Sequence, residues 1–287
     1  MAAGESFFKR VKKARFDHVY NLPDCRAYYQ AVAPLDYQNP AHAVPIARAA
    51  LAEISRLRNL QAPWVLDFAC GYGITSALLR YHVDMRTIVA RYSGKELTNL
   101  DAAPLIAKDR KWYATRKRRT LQPQIAGMDI SMNALDYGLR VGLYDKTFAD
   151  NLEVNDPSPE LIDFLPNVSL ILDTGACGYI GERSFSRLLR AAGPPLPWIT
   201  TSPTRVADYG PSLEVMKKLG LVVEQVPIAP FRHRRFADQK EKERAIAELK
   251  RKGVDPTGLE DTGFFFAEAY VIRPPDECDI PLAELIR

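Results

Sequence analysis

The sequence predicts an α/β protein whose core is a doubly wound, mostly parallel seven-stranded sheet with an antiparallel last strand. Three observations predict this fold. First, short apolar runs alternate with helical patterns along residues 43–273, as in sheets whose parallel strands are joined by helices. Second, residues 168–173 form an unbroken apolar run, as expected of a strand covered on both faces. Third, the last apolar run, 263–273, follows a long charged segment and has no helix after it, which suits an antiparallel strand.

The individual elements have their own signals. Apolar residues recur at helical spacing within 43–59, and Gly220 and Gly253 suit the ends of helices. We predict helices at 43–59, 132–141, 159–164, 182–191, 211–219 and 238–252, besides one that begins after residue 73. We predict strands at 64–68, 124–130, 147–152, 168–173, 197–201, 221–226 and 263–273. Residues 1–42 are predicted to form an N-terminal cap, 83–121 a helical insertion and 274–287 an irregular tail.

Length and composition restrict the function. With 287 residues, of which 47% are hydrophobic and 26% charged, the chain suffices for one large folded domain. The net charge of +4 is far below that of a dedicated nucleic-acid binder, and no apolar run is long enough for a transmembrane helix. The four cysteines and four histidines are scattered, so we predict no metal site, free thiols and a cytoplasmic location.

The sharpest motif is the loop that follows the first predicted strand. That strand ends at Phe68, and the small-residue run Ala69-Cys-Gly-Tyr-Gly73 opens a helix. Small residues let a ligand approach the backbone closely, and glycine tolerates positive φ angles. Asp67 lies four residues before Gly71, where an anionic pyrophosphate would be repelled and a cationic ligand attracted. The loop therefore indicates a site for a ligand that carries positive charge.

Further polar residues stand at the ends of the next three predicted strands. They are Asp129, the pair Asp150 and Asn151, and the pair Asp173 and Thr174. Each of them alone could begin a helix or form a surface turn. Because the carboxyl ends of parallel strands meet at one edge of a sheet, the series favours one shared site.

In these motifs the chain resembles the class I S-adenosylmethionine-dependent methyltransferases over about residues 64–273. The family's first motif reads acid-x-Gly-x-Gly-x-Gly, and here Ala69 replaces the first glycine. The resemblance implies a Rossmann-like domain over 43–273 with S-adenosylmethionine as the cofactor. It places Asp129 at the ribose, Asp150 or Asn151 at the adenine, and the end of the fourth strand near the methionine part. The residues that we predict to bind the cofactor are Asp67, Ala69, Cys70, Gly71, Tyr72, Gly73, Asp129, Ile130, Asn133, Asp150, Asn151, Asp173, Thr174 and Tyr37.

A tyrosine-rich segment precedes the first strand. Residues 17–40 contain Tyr20, Tyr28, Tyr29 and Tyr37, and we predict that this segment closes over the cofactor. Aromatic faces attract a sulfonium by cation–π contact. The alternative is that these tyrosines belong to the core or the rim. We name three catalytic candidates, with the first expected nearest the reacting centre: Tyr179, His18 and Tyr20.

Two basic stretches bear on the substrate. Residues 108–119, within the insertion, hold seven cations and one acid around Trp112 and Tyr113. They could form a nucleic-acid platform, or a solvated insertion whose two aromatic residues pack inward, and the small net charge favours the second. After the sixth strand, a cluster of three arginines could bind a substrate carboxylate or could be a surface turn; they are Arg232, Arg234 and Arg235.

The sequence therefore predicts a methyltransferase that transfers a methyl group in line to a small-molecule acceptor. One alternative keeps the cofactor but lets its own amino group attack its side chain. The azetidine-2-carboxylate synthases carry out this cyclisation and release methylthioadenosine. Two further alternatives are a nucleic-acid methyltransferase and a cofactor-binding protein that has lost catalysis, for which Ala69 is the support. The acceptor and the oligomeric state stay open.

Overall fold

The computed structural model describes residues 17–120 and 122–286, without the side chains of Asp17, His18 and Lys95. Its strands are β1 (Trp64–Phe68), β2 (Gln124–Met128), β3 (Lys146–Phe148), β4 (Val168–Asp173), β5 (Trp198–Thr201), β6 (Val222–Gln225), β7 (Phe231–Arg235), β8 (Phe264–Ala267) and β9 (Tyr270–Arg273). The helices are α1 (Asp17–Tyr20), α2 (Arg26–Val32), α3 (Asn39–Leu57), α4 (Ile74–Arg80), α5 (Met85–Ser93), α6 (Ala102–Ala114), α7 (Met132–Val141), α8 (Pro159–Phe164), α9 (Glu182–Ala192), α10 (Gly210–Lys218), α11 (Gln239–Arg251) and α12 (Leu282–Leu285).

The main sheet confirms the predicted fold class. In the described part of the chain, its order is β3-β2-β1-β4-β5-β9-β6. Strands β1 to β5 pair in parallel, whereas β9 is antiparallel to both of its neighbours, β5 and β6. The chain leaves β1 toward one edge of the sheet and returns at β4 to build the other. This reversal leaves a crevice at the carboxyl ends of β1 and β4, where ligands bind in open α/β sheets.

Two apolar clusters cover the two faces of the sheet. Because side chains alternate along a strand, Val65 packs with one cluster and the adjacent Leu66 with the other. Helices α3, α4 and α7 supply residues to the first cluster, and α8 to α11 supply residues to the second. Both faces of β4 are therefore covered, which explains its unbroken apolar sequence.

The structure corrects the end of the predicted sheet. The single strand expected at 263–273 is two strands, and the first of them, β8, pairs with β7 in a separate hairpin. The turn interpretation of the three arginines was wrong, because all three lie in β7. Charged residues are unusual in strands, but here Arg232 and Arg235 lay their guanidinium groups over the Phe264 ring, at 4.4 and 4.6 Å. Arg234 forms a buried ion pair with Glu241 at 2.7 Å.

Smaller differences concern element lengths. Strand β3 covers only 146–148, because residues 149–151 have no regular structure and a turn begins at Leu152. The tail is not wholly irregular, since it holds a 3-10 turn at Pro275–Glu277 and the short helix α12. Within 17–120 and 122–286, no helix is both long and apolar enough to span a membrane. None of the four cysteines, all of which lie in the described part of the chain, forms a disulfide bond.

The insertion packs against both the cap and α7. Asp109 in α6 accepts hydrogen bonds from Arg91, at 2.7 and 2.8 Å, and from the hydroxyl groups of Tyr92 and Tyr137, at 3.0 and 2.8 Å. Tyr29 of the cap stacks on Tyr92 with ring centroids 4.6 Å apart. These contacts join the cap, the insertion and α7 into one layer.

The two aromatic residues of the basic stretch face inward to different degrees. Tyr113 is fully buried and packs on Tyr81 at 5.0 Å, as the insertion interpretation requires. Trp112 is half-buried between the guanidinium groups of Arg91 and Arg116, at 4.8 and 4.4 Å. Burial of Tyr113 and the two guanidinium groups over Trp112 fit the interpretation in which these aromatic residues pack against the protein.

Gly138 in α7 provides a test of packing against helix propensity. A Cβ atom at this residue would lie 2.2 Å from the Tyr144 ring, which is buried and has Gly127 on another side. Helix propensity alone would favour alanine by about 1 kcal/mol. We expect the clash to prevail, so that Gly138→Ala lowers the free energy of unfolding by about 1–3 kcal/mol in urea denaturation.

Gly210→Ala is the matched control for this substitution. Gly210 is also helical, and the nearest atom to an added Cβ there is 3.8 Å away. Equal stability changes in the two variants would show that the space around Gly138 is not restrictive.

Candidate functional site

A cavity of about 500 Å³ lies at the carboxyl ends of β1 to β4, beneath the N-terminal segment. Thirteen of the residues predicted for the site line it, and together they come from the cap, from the end of β1 and from the loops after the four strands. They are Tyr20, Tyr37, Asp67, Ala69, Cys70, Gly71, Tyr72, Asp129, Ile130, Asp150, Asn151, Thr174 and Tyr179. The volume is within the usual range of small-molecule sites.

The loop between β1 and α4 turns through three left-handed residues. Ala69, Gly71 and Gly73 have φ angles of 54°, 52° and 77°. At Gly71 an added Cβ would lie 3.0 Å from the Tyr20 ring of the cap. Glycine is therefore favoured there for two reasons: the positive φ angle and the close approach of this ring. Ala69 stands where the methyltransferase motif has a glycine, and it adopts the conformation for which that glycine would be suited.

Asp129 holds this loop against the end of β2. Its Oδ2 accepts the Gly71 N–H at 2.8 Å, and its Oδ1 accepts the Ser131 N–H at 2.8 Å. Burial raises the pKa of Asp129. Each carboxylate oxygen has a second lone pair, so both can still accept a hydrogen bond from a ligand in the cavity.

Asp67 lies at the base of the cavity and is almost fully buried. Its Oδ2 accepts a hydrogen bond from the Ser76 hydroxyl at 2.6 Å. Burial raises the pKa of Asp67 to about 7, and the neighbouring Asp129 and Asp173 add to the rise. A positive charge brought next to Asp67 would lower this pKa and ionise the carboxyl.

The charge of the cavity has one sign. Four acidic side chains line it: Asp67, Asp129, Asp150 and Glu153. Among the described residues, no Lys, Arg or His lines it. Asp150 accepts hydrogen bonds from Ser158, and Glu153 accepts them from Gly181 and Ser184, so both are fixed in place. The cavity therefore attracts cations and repels phosphates and carboxylates.

The cap contributes tyrosine rings to the same cavity. Tyr20, Tyr28 and Tyr37 line it from the N-terminal side and Tyr179 from the loop after β4. Tyr20 and Tyr28 have ring centroids 5.1 Å apart. The Ser131 hydroxyl donates to the Tyr20 carbonyl at 2.6 Å and so fastens the cap to the end of β2.

No protein-family model and no curated protein matches the chain. Solved structures of S-adenosylmethionine-dependent methyltransferases do match, at low identity. A TehB-like enzyme from Corynebacterium glutamicum is 18% identical over 81% of this chain and 98% of its own, with a TM-score of 0.35. The Burkholderia thailandensis 1,6-didemethyltoxoflavin-N1-methyltransferase, solved with 1,6-didemethyltoxoflavin and S-adenosylhomocysteine, is 11% identical over 96% of this chain and 92% of its own, with a TM-score of 0.41. A Geobacter sulfurreducens enzyme, solved with S-adenosylhomocysteine, is 13% identical over 93% and 97%, with a TM-score of 0.32.

These values show neither a shared substrate nor a shared reaction. The fold is shown by the strand order of this chain, in which β9 lies antiparallel between β5 and β6. This order agrees with the fold that the resemblance implied. The chain therefore has the doubly wound α/β fold that the sequence predicts.

Three residues predicted for the methyltransferase site do not line the cavity. Gly73 caps α4 and faces Leu143 and Tyr144. Asn133 donates to the Asn21 carbonyl at 2.8 Å and so holds the cap. The Asp173 carboxylate is bonded to the hydroxyl groups of Thr201 and Tyr209, both at 2.8 Å, and is turned into the core. The His18 side chain lies outside the described residues, so its role stays a prediction.

Some cavity residues were missing from the predicted set. Glu153 follows Asp150 by three residues, so its place near the end of β3 could have been inferred. Tyr28 was noted in the cap but not assigned to the site. Asn21 and Ser184 gave no signal, because their approach to the cavity depends on how the cap and α9 pack.

The basic stretches lie away from this cavity. No described residue of 83–120 lines it, and neither do the three arginines of β7. Arg118 bonds through its N–H to the Arg80 carbonyl at the end of α4, and His82 bonds to the Arg116 carbonyl. Residues 116–118 are thus beside the end of α4, a helix that begins at the cavity and runs away from it.

Ala69 tests the cost of the left-handed loop. Ala69→Gly is expected to raise the free energy of unfolding by roughly 0.5–1 kcal/mol, because glycine adopts positive φ without a Cβ clash. Ala52→Gly, at an exposed position inside α3, is the control and should lower it by about 1 kcal/mol. Chemical denaturation measures both. Destabilisation by both substitutions would show that Ala69 is not strained.

The raised pKa of Asp67 predicts a pH dependence of stability. The folded protein retains the Asp67 proton up to about pH 7, whereas an unfolded aspartate loses it near pH 4. The stabilisation from this proton is complete below pH 4 and is lost as pH rises through 7. Between pH 5 and 8 the wild type should lose roughly 2–3 kcal/mol that the Asp67→Asn variant does not lose.

Urea denaturation at both pH values measures this difference. Asp136→Asn, at an exposed aspartate of α7, is the control and should behave as the wild type. If Asp67→Asn lost as much stability as the wild type, Asp67 would already be ionised at pH 5.

Proposed function

We propose that this chain is an S-adenosylmethionine-dependent methyltransferase that acts on a small-molecule acceptor. The observation that carries the proposal is the charge of the cavity at the ends of β1 to β4. Four carboxyl groups line this cavity, and among the described residues no cationic side chain does. S-adenosylmethionine brings a sulfonium and an ammonium group, so it matches this charge. A dinucleotide brings a pyrophosphate, which the same carboxylates would repel.

The residues present fit the parts of this cofactor. Asp129 has free lone pairs beside the glycine loop and would accept both ribose hydroxyl groups. Asp150 and Asn151 would face the adenine amino group, with the exposed Ile130 side chain against the ring. Asp67 would be ionised by the positive charge of the methionine part. The nearest approach to the backbone would be at Gly71, which has no side chain of its own.

The cap tyrosines would orient the reacting groups and exclude water. When bound, S-adenosylmethionine supplies a methyl carbon that its sulfonium has already activated. Tyr20, Tyr28 and Tyr37 would contact that cation through their rings, a contact worth about 1–2 kcal/mol when water is excluded. Burial raises the pKa of Tyr20 and Tyr28 far above neutral, so their hydroxyl groups act as hydrogen-bond donors and not as bases. Alignment and exclusion of water are the main requirements of an in-line transfer.

A small acceptor suits the surroundings of the cavity. The cap lies over it, and the basic stretch at 108–119 lines no part of it. A nucleic-acid acceptor would have to bring its phosphates toward four acidic side chains and no described cation. The four cysteines form no disulfide bond, which fits a reducing compartment, and we include a cytoplasmic location in the proposal.

Cyclisation of the cofactor is the second candidate. Three cap tyrosines line the cavity on its N-terminal side, and this favours it, because such a reaction needs no entry for a second substrate. Both candidates use the same cofactor-binding residues, so only the fate of the cofactor separates them.

Calorimetric titration with S-adenosylmethionine, followed by mass analysis of the mixture, tests the proposal. We expect saturable binding at one site, which Asp129→Asn weakens about tenfold or more because a charge-assisted acceptor is lost. Asp136→Asn is the control and should bind as the wild type does. Intact cofactor after incubation is expected for a methyltransferase without its acceptor, whereas released methylthioadenosine would favour cyclisation. Absence of binding at millimolar cofactor would contradict both candidates.

A further inference from the structure

Tyr144, just before β3, fills a slot that three glycines create. An added Cβ would lie 2.8 Å from its ring at Gly127 and 2.2 Å at Gly138, and 2.9 Å from its hydroxyl at Gly73. These glycines belong to β2, α7 and the loop before α4, so three elements leave room for one side chain. The ring is almost fully buried. Such a slot fixes the position of the phenol closely.

The phenol hydroxyl of Tyr144 is directed at the underside of the glycine loop. It donates to the Gly71 carbonyl at 3.1 Å and lies 3.4 Å from the Cys70 carbonyl. On the other side of the loop, the Gly71 N–H donates to Asp129 at 2.8 Å. Gly71 is thus held at both of its peptide groups, by Tyr144 below and by Asp129 above.

We propose that Tyr144 is a positioning residue for the bound cofactor. It fixes Gly71, and Gly71 in turn fixes the Asp129 carboxylate toward the ribose hydroxyl groups. Tyr144 does not line the cavity, so it acts only through the loop. This inference rests on the proposed function for the role of Asp129 at the ribose.

Two properties of the site support this role. Gly71 has a left-handed φ of 52° and no side chain, so hydrogen bonds must define its orientation. Burial raises the pKa of Tyr144 well above its ordinary value, so the hydroxyl remains a donor at any pH at which the protein is studied. A tyrosine that only filled the core would serve equally well as phenylalanine.

Tyr144→Phe removes the hydroxyl and keeps the ring, which still fills the slot. The substitution therefore tests the effect of the hydroxyl alone. The matched control is Tyr81→Phe. Tyr81 is also buried and donates to a backbone carbonyl, that of Gly142, at 2.6 Å, but it has no contact with the loop. Both variants lose one hydrogen bond of the same kind, so their stabilities should change to a similar extent.

Calorimetry with S-adenosylmethionine, and competition by adenosine and 2′,3′-dideoxyadenosine, gives the decisive comparison. In Tyr144→Phe we expect three- to tenfold weaker binding of S-adenosylmethionine and adenosine, as for the loss of one hydrogen bond. Binding of 2′,3′-dideoxyadenosine should be unchanged, because it lacks the hydroxyl groups that Asp129 would bind. Tyr81→Phe should leave all three affinities unchanged.

Amide hydrogen exchange in the unliganded protein tests the contact with Gly71 independently. The Gly71 amide should exchange several-fold faster in Tyr144→Phe than in the wild type or in Tyr81→Phe. Unchanged exchange and unchanged affinity would overturn the inference. Equal weakening of adenosine and 2′,3′-dideoxyadenosine would also overturn it, since it would show a general loss of structure. Failure of the wild type to bind S-adenosylmethionine would instead overturn the proposed function, and with it the role at the ribose, whatever the exchange of Gly71.

Discussion

The structure depends on one backbone constraint, the left-handed turn between β1 and α4. A chain that leaves a buried strand and enters a helix within five residues has to reverse sharply, and here it does so with positive φ angles at residues 69, 71 and 73. That turn exposes backbone to the cavity and leaves no side chain at Gly71. The neighbouring elements are shaped around it: Asp129 and Tyr144 bind its two faces, and α7 carries a glycine so that Tyr144 can reach it.

The second constraint is electrostatic. Burying the Asp67 carboxyl raises its pKa from 3.8 to about 7, which corresponds to about 4 kcal/mol of preference for the neutral form. Asp129 and Asp173 are shifted in the same direction by burial. Asp173 has its hydrogen bonds within the core, whereas Asp67 and Asp129 face the cavity. A cationic ligand would offset the cost of ionising these two residues, so the site is complementary to positive charge. Without such a ligand, an ionised carboxylate buried there is unfavourable.

Much of this could be predicted from the sequence, and the exceptions have physical causes. The strands of the main sheet are short, apolar and separated by helices of regular spacing, so their order along the chain was clear. Strand β7 was missed because its arginines have aliphatic stems that cover Phe264, which a charge pattern does not reveal. Asp173 seemed equivalent to Asp129 in sequence. Only the approach of Thr201 and Tyr209 from the adjacent strand and loop shows that its carboxylate is turned into the core.

Tyr144 could not be found from sequence at all, because its partners are glycines in three separate elements. The same holds for the insertion, whose cations suggested a binding surface. Its contacts point to a structural purpose: Arg26 of the cap donates to the carbonyl groups of Leu97 and Thr98, and Tyr29 stacks on Tyr92 beside the buried Asp109. The insertion therefore supports the segment that carries Tyr20 and Tyr28 over the cavity.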